Sequence, residues 1–254
     1  MTDSIAKGVE ILGIVRETPS VRTFSLSRSF SFIPGQFVMV WVPGIDEIPM
    51  ALSSANSISV QKVGDATSAL FALGEGDRIG IRGPLGTGFT PVRPTLAIAG
   101  GIGAAPLLPL AEQGKVDTFL LGARTAADIP FRERLQLCTN LSLASDDGSI
   151  GTHGFVTALF DAYPPESFSS ICVCGPELMM RSVLDRLEKG RIAQRGQFSV
   201  HRFMKCGIGI CGSCCIDPHG LRICTEGPVV RGDLLIGSEF GRYQRDASGQ
   251  RRPI

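Results

Sequence analysis

Cys206, Cys211, Cys214 and Cys224 follow one another in the spacing C-x4-C-x2-C-x9-C, inside the stretch Lys-Cys-Gly-Ile-Gly-Ile-Cys-Gly-Ser-Cys-Cys that begins at Lys205. A fold that uses all four must bring a tight loop and a later segment to one place. The leading part of that spacing is the one with which plant-type [2Fe-2S] clusters are held, four thiolates on two irons with the fourth arriving from further along. Gly207, Gly209 and Gly212 suit such a loop, because a chain that wraps a cluster bends sharply and brings its N–H groups close to sulfur. Such a cluster moves one electron at a time, so the expectation is an electron-transfer protein with Cys206, Cys211, Cys214 and Cys224 as metal ligands.

Other uses of cysteine compete with that reading. Zinc takes Cys-x2-Cys, the spacing of Cys211 and Cys214, but normally adds a second close Cys or His pair. Near Cys224 only His219 is at hand, in the turn-like Pro218-His-Gly220. A disulfide framework is not expected in a chain of 254 residues whose start shows no secretory signal. Cys215 can substitute as a ligand, but adjacent side chains diverge, so it is read as a non-ligand. Cys138, Cys172 and Cys174 are read as core residues.

The length allows two domains and a small module. Hydrophobic residues at 43% and charged residues at 19% suit a sizeable core. A net charge of +1 speaks against a nucleic-acid surface. Apolar runs are broken by Gly or Pro, so no membrane span is expected, and eight cysteines without an export signal fit a cytoplasmic protein whose thiols serve metals.

Along the chain, Val9–Arg16, Val21–Ser27, Gln36–Trp41 and Arg78–Arg82 read as short strands separated by turns such as Pro34-Gly35, which predicts an antiparallel β-barrel over residues 1–93. After Pro94 the pattern alternates between strands (95–99, 116–121, 141–144, 171–174) and helices (106–113, 129–137, 156–161, 177–189). That predicts an α/β parallel sheet over 94–196. The cysteine module is assigned to 197–240, and the arginine-rich 241–254 is read as a flexible tail.

Ala99-Gly-Gly-Ile-Gly-Ala-Ala-Pro106 follows a strand and opens a helix, so Gly101 and Gly103 would let a backbone approach a diphosphate, with Pro106 in the first helical turn. It departs from the dinucleotide fingerprint in placing Pro106 where the third glycine belongs. Thr67, after Gly64-Asp-Ala, either binds a phosphate oxygen or caps a short helix. Gly83-Pro-Leu-Gly-Thr-Gly88 either lines a flat cofactor or makes an inter-domain turn. Arg202 and Lys205 stand near Cys206, where they could raise a cluster potential, steer docking, or do neither. No acid–base pair or activated nucleophile is apparent, so no catalytic residue is assigned.

Taken in order, Pro34-Gly-Gln-Phe-Val-Met-Val, Ile48-Pro-Met-Ala-Leu-Ser53, Lys62-Val-Gly-Asp-Ala-Thr67, Gly83-Pro-Leu-Gly86, the glycine turn, Cys174-Gly-Pro-Glu-Leu-Met179, the cysteine loop and Cys224-Thr-Glu-Gly-Pro-Val229 resemble the ferredoxin reductase family of flavoproteins. More closely, they resemble the electron-transfer subunits of B-type dihydroorotate dehydrogenases. The resemblance implies FAD in the barrel, NAD(H) or NADP(H) in the sheet domain, and a [2Fe-2S] cluster facing a partner. It places flavin contacts at Met50, Ala51, Leu52 and Ser53, at Ser59, Val60 and Gln61, and at Ala66 and Thr67. Met50 stands where the family has a diphosphate-binding Arg, which leaves FAD or FMN open. The implied partner is an FMN-containing catalytic subunit, in a heterotetramer with two of each chain, serving pyrimidine biosynthesis. Subunits of sulfhydrogenases and of NADH-dependent ferredoxin:NADP reductases share these motifs and are the alternative.

Overall fold

The computed structural model describes residues 5–254. Its first part is a closed barrel with strand order β1-β2-β5-β4-β3-β6, built from β1 (Lys7–Arg16), β2 (Val21–Leu26), β3 (Phe37–Val42), β4 (Asp46–Ser54), β5 (Ser57–Gln61) and β6 (Arg78–Leu85). All its pairings are antiparallel. Alternation drives closure: Val9, Ile11, Phe24, Val38, Val40, Leu52, Ile58, Val60, Ile79 and Ile81 point inward and form one buried cluster. A short helix, α1 (Asp65–Ala72), adds Leu70 to that core.

The second part is a seven-stranded sheet in the order β10-β9-β8-β7-β11-β12-β15. Its members are β7 (Thr95–Gly100), β8 (Thr118–Ala123), β9 (Asn140–Ser145), β10 (Thr152–His153), β11 (Ser170–Cys174), β12 (Gly196–Ser199) and β15 (Val229–Arg231). All pairs are parallel except β12 with β15. Helices α2 (Leu108–Glu112) and α3 (Arg132–Cys138) pack on one face and α4 (Glu177–Lys189) on the other. The chain runs outward from β7 to β10 and then returns to place β11 on the other side of β7. The C-terminal ends of β7 and β11 therefore flank a topological switch point, where open α/β sheets form their ligand crevice.

The cysteine segment contributes a two-residue ladder, β13 (Cys215–Ile216) with β14 (Leu221–Arg222), and a single helical turn, α5 (Ile223–Glu226). It is not a separate bead. β12 runs across the expected boundary at residue 197, and β15, from within the expected module, completes the sheet. Phe37, Met39 and Leu85 of the barrel share one buried cluster with Met204, Cys214, Ile223 and Cys224 and with Val173 and Phe198 of the sheet. All three parts of the chain thus meet in a single core.

The arginine-rich end corrects the expectation of a flexible tail. It forms a hairpin of β16 (Tyr243–Arg245) and β17 (Arg251–Pro253). Asp246 closes the turn by accepting from the N–H groups of Ser248 and Gln250. Asp217 anchors the hairpin, receiving Arg245 at 2.6 Å, Arg251 at 3.2 Å and the Tyr243 hydroxyl at 2.8 Å. Four arginines look like a solvated end until the acceptor that holds two of them is found elsewhere in the fold. Among the described residues no helix is long and apolar enough to cross a membrane.

Candidate functional site

In the cysteine loop the four cysteines stand as two pairs joined by backbone N–H groups on sulfur, Cys211 on Cys206 and Cys224 on Cys214. The loop turns through Gly207, Gly209 and Gly212 at φ values of 69°, 79° and 73°, a region costly for any residue with a Cβ. Those turns aim backbone N–H groups at sulfur. Cys206 Sγ accepts from Ile210 at 3.4 Å and Cys211 at 3.5 Å, Cys224 Sγ from Gly209 at 3.1 Å, and Cys214 Sγ from the Cys224 N–H at 3.4 Å. The two pairs differ in surroundings. Cys214 and Cys224 are buried in the shared core, whereas Cys211 is exposed beside the exposed Ile208 and Ile210.

The electrostatics follow the same division. Burial disfavours the Cys206 thiolate, but N–H groups of Cys211, Ile208 and Ile210 outweigh it and bring its pKa below the ordinary thiol value. The Ser213 hydroxyl and N–H lower that of Cys211 to about 6. Burial raises Cys224 to about 12, a proton that coordination to a metal removes. Among the described residues no group of three or more His, Cys, Asp or Glu side chains converges to hold a single ion. Two thiol pairs, each with N–H donors on sulfur, are the donor set a two-iron cluster takes, so the residues fit that group. Cys215 lies in β13, paired with Arg222, and burial raises its thiol pKa. Cys172 is wholly buried and Cys138 and Cys174 partly so.

At the sheet, the switch point brings together the glycine turn after β7 and Cys174-Gly175-Pro176 after β11. A Cβ on Gly103 would collide with the Cys174 carbonyl, and one on Gly100 would stand 2.6 Å from Pro176 Cδ. Gly101, by contrast, has φ +50° and nothing within 4 Å of a Cβ position. Gly103 therefore serves the close approach of two loops, while Gly101 faces open space. Pro106 is not in the first turn of a helix. It is buried in the turn that joins the 3-10 stretch Gly101–Ala104 to α2, where Pro109 takes the early helical position.

At the barrel, Thr67 caps α1: its hydroxyl accepts from the N–H groups of Val63 and Gly64, both at 2.9 Å, and donates to the Gly64 carbonyl. Ala66, beside it, is partly buried. β4 pairs with β5 through Leu52 with Ile58 and Ser54 with Ser57, which leaves Ser53 as the bulge residue. Its side chain turns inward to a chain of hydroxyls. Ser59 Oγ donates to Ser53 at 2.8 Å, Ser59 meets Thr23 at 2.8 Å, and Thr23 donates to Glu17 at 2.8 Å. Ser53, Ser59, Leu52 and Val60 are buried, whereas Met50, Ala51 and Gln61 are partly exposed. At this edge β4 approaches α2, and β5 approaches the Gly101–Ala104 turn. A flavin here would be met by backbone and by Met50, Ala51 and Gln61, since the serine hydroxyls are already engaged. Met50 brings no charge, and Lys62, exposed at the end of β5, is the adjacent cation.

Two charged clusters escaped the sequence reading. Arg202 is not a surface charge near Cys206. Its guanidinium is buried, with Nη1 2.6 Å and Nη2 3.0 Å from the two Glu177 oxygens and Nε 3.0 Å from the fully buried Glu239. Glu177 begins α4, so this triad ties the crevice loop to the cysteine segment. Arg82 of β6 is likewise buried and binds Glu47 of β4 through Nε at 2.6 Å and Nη2 at 2.8 Å. Arg82 shares the outward parity of the exposed Arg78, opposite the inward Ile79 and Ile81, so alternation gave no signal that the cysteine segment would cover it. Lys205 is exposed, over the Phe203 ring at 5.6 Å.

A barrel joined to a switch-point crevice and to paired thiols in a shared core defines an iron–sulfur electron-transfer protein of ferredoxin reductase-like architecture. Residues 201–236 match the family model described as the iron-sulfur cluster binding domain of dihydroorotate dehydrogenase B. A Methanocella arvoryzae protein named probable dihydroorotate dehydrogenase B (NAD(+)), electron transfer subunit, is 49% identical over 95% of this chain and 96% of its own length. A Methanocaldococcus jannaschii protein of the same name is 47% identical over 94% of this chain and 95% of its own. The chain belongs to this family of dihydroorotate dehydrogenase B electron transfer subunits. Among solved structures, the NADH-dependent reduced ferredoxin-NADP oxidoreductase of flavin-based electron bifurcation matches with TM-score 0.80 and 28% identity, over 89% of this chain and 88% of its own. An Amycolatopsis cytochrome P450 reductase at TM-score 0.65 and 22% identity, over 76% and 69%, shares the fold.

Proposed function

We propose that this chain relays electrons between a catalytic dihydroorotate dehydrogenase subunit and NAD(+), using FAD on the barrel and a [2Fe-2S] cluster on Cys206, Cys211, Cys214 and Cys224. The observation that carries it is the paired thiol loop, exposed at Cys211 and joined through one core to the barrel and the crevice. A flavin exchanges hydride with a nicotinamide and releases electrons singly, which a cluster accepts one at a time. The protein's own part is placement. Gly101 leaves the crevice open for the nucleotide, and Gly103 holds the glycine turn against Cys174-Gly175-Pro176. Met50, Ala51 and Gln61, with the backbone of Leu52, Ser53, Ser59, Val60, Ala66 and Thr67, would line the flavin. Pro106, buried in the turn that follows Gly101–Ala104, would help shape the nicotinamide side. N–H groups of Gly209, Ile210 and Cys211 hold the sulfurs that ligate iron.

The exposed Ile208 and Ile210 beside Cys211 give the partner an apolar patch next to the cluster. The partner we propose carries FMN and oxidises dihydroorotate, in a cytoplasmic complex with two of each chain. The alternative, a subunit of an NADH-dependent ferredoxin:NADP reductase, draws on the similarity at TM-score 0.80, but its 28% identity is well below the 49% of the archaeal relative. Anaerobic co-purification on the tagged chain separates the two. Bleaching of flavin and cluster by dihydroorotate, with a second flavoprotein present, supports the proposal. A coloured eluate that dihydroorotate leaves unchanged contradicts it.

A further inference from the structure

Arg82 is a barrel side chain whose charge reaches the cysteine loop. Its Nη2 lies 3.5 Å from the Lys205 carbonyl, immediately before Cys206, and its Nη1 would stand 3.3 Å from a Cβ at Gly207, immediately after it. Its guanidinium thus stands against the backbone on both sides of Cys206, with Cys224 also within reach of its charge. Met39 and Leu85 flank it against Gly207 and keep water from this side.

Glu47 offsets that charge, but unequally. The Arg82 side chain is 9% exposed and that of Glu47 is 27% exposed, so water screens the carboxylate more than the guanidinium. The carboxylate accepts from Nε and Nη2, which leaves Nη1, the nitrogen nearest Gly207, outside the ion pair. The cysteine loop therefore sees the positive end of a buried dipole.

We infer that Arg82 is a positioning residue for electron transfer, holding the cluster's reduction potential up from the barrel side, with Glu47 as its partial brake. Reduction places one added electron, and no proton, on the cluster. A fixed positive charge beside it favours that state, and cluster potentials respond to net charge and to hydrogen bonding. The inference rests on the four-cysteine reading above. It assigns the barrel a second role, as the element that sets the energy of the acceptor it faces.

The test is an anaerobic redox titration of the purified chain with its cofactors, following the cluster by its reduced-state EPR signal, after iron and sulfide analysis. Arg82→Met is expected to lower the reduction equilibrium of the cluster by about tenfold, which for a one-electron couple is about 59 mV. Glu47→Gln, which leaves Arg82 uncompensated, is expected to shift it the opposite way. Arg82→Lys keeps the charge without the bidentate geometry and should stay near the wild-type value. A tether that acted only by pinning Lys205 would give Arg82→Met and Arg82→Lys similar shifts and would not reverse sign in Glu47→Gln. Shifts of one sign, or none, overturn the inference while leaving the cysteine assignment intact. If Arg82→Met fails to keep its cluster, Glu47→Gln and Arg82→Lys still decide. A wild-type chain without iron and sulfide overturns the reading of the cysteines, and this inference with it.

Discussion

The cysteine loop and the turn after β7 are both rich in glycine, yet their glycines answer to different demands. In the cysteine loop, Gly207, Gly209 and Gly212 all have positive φ and turn N–H groups onto sulfur. In the turn after β7, Gly100 and Gly103 are packed against Pro176 and the Cys174 carbonyl, and only Gly101 faces open space. One region uses glycine to shape a ligand shell and the other mainly to let two loops touch. The first carries its chemistry in side chains, the second in the shape of its backbone.

Substitution of a thiol should give the largest effect. Cys224→Ser is expected to remove nearly all cluster iron while flavin stays bound, whereas Cys215→Ser keeps full iron; metal and sulfide analysis of both decides whether the loop works through four particular side chains. Retention of iron in Cys224→Ser would remove this side of the comparison.

Next comes the link between the two regions. Arg202→Met leaves Glu177 without its cation and the fully buried Glu239 with only Arg245, at 3.6 Å, at an expected cost of about 3–5 kcal/mol in urea unfolding. A loss below about 1 kcal/mol would mean that the two regions are not joined through this triad.

Within the turn itself, Gly103→Ala should cost about 3 kcal/mol by overpacking against backbone that cannot move aside. Gly101→Ala should cost only about 1 kcal/mol, the strain of a left-handed residue, and should weaken nucleotide binding more than it weakens folding. Equal stability losses would erase the division between packing glycine and site glycine.

The smallest effect concerns pH. Arg245 and Tyr243 hold the Asp217 carboxyl below the ordinary carboxylate range. A folded value depressed in this way contributes stability that is present above the unfolded pKa of about 3.9 and is lost as pH falls through the lower folded value. The C-terminal hairpin should therefore loosen in acid while the core holds, seen as a change in the Tyr243 ring resonances that Asp217→Asn produces already at neutral pH.

Legibility from sequence followed the same divide. Thiols at a fixed spacing announce a cluster because only side-chain identity matters there, and alternation announced β1, β2, β3 and β6. β4 was not read as a strand, since Asp46-Glu-Ile-Pro-Met50 lacks alternation and contains a proline. Its first half pairs with β3 alone, so the N–H missing at Pro49 costs no second ladder. Ser53 and Ser59 lie in the segments expected from the resemblance to contact flavin, but their hydroxyls belong to an internal chain that ends at Glu17. For Arg202, Arg82 and two of the tail arginines, Arg245 and Arg251, the partners were not legible, because each acceptor (Glu177 and Glu239, Glu47, Asp217) lies 25 or more residues away in sequence. Composition carries no signal for such meetings; only the fold creates them.

The most direct test of the relay is anaerobic addition of NADH to the purified, cofactor-loaded chain, with flavin absorbance and the cluster EPR signal followed together. Bleaching of the flavin together with appearance of the reduced-cluster signal is the predicted result. A flavin that bleaches while the cluster stays oxidised, or a preparation in which NADH changes neither, would contradict a continuous path from crevice to cysteine loop.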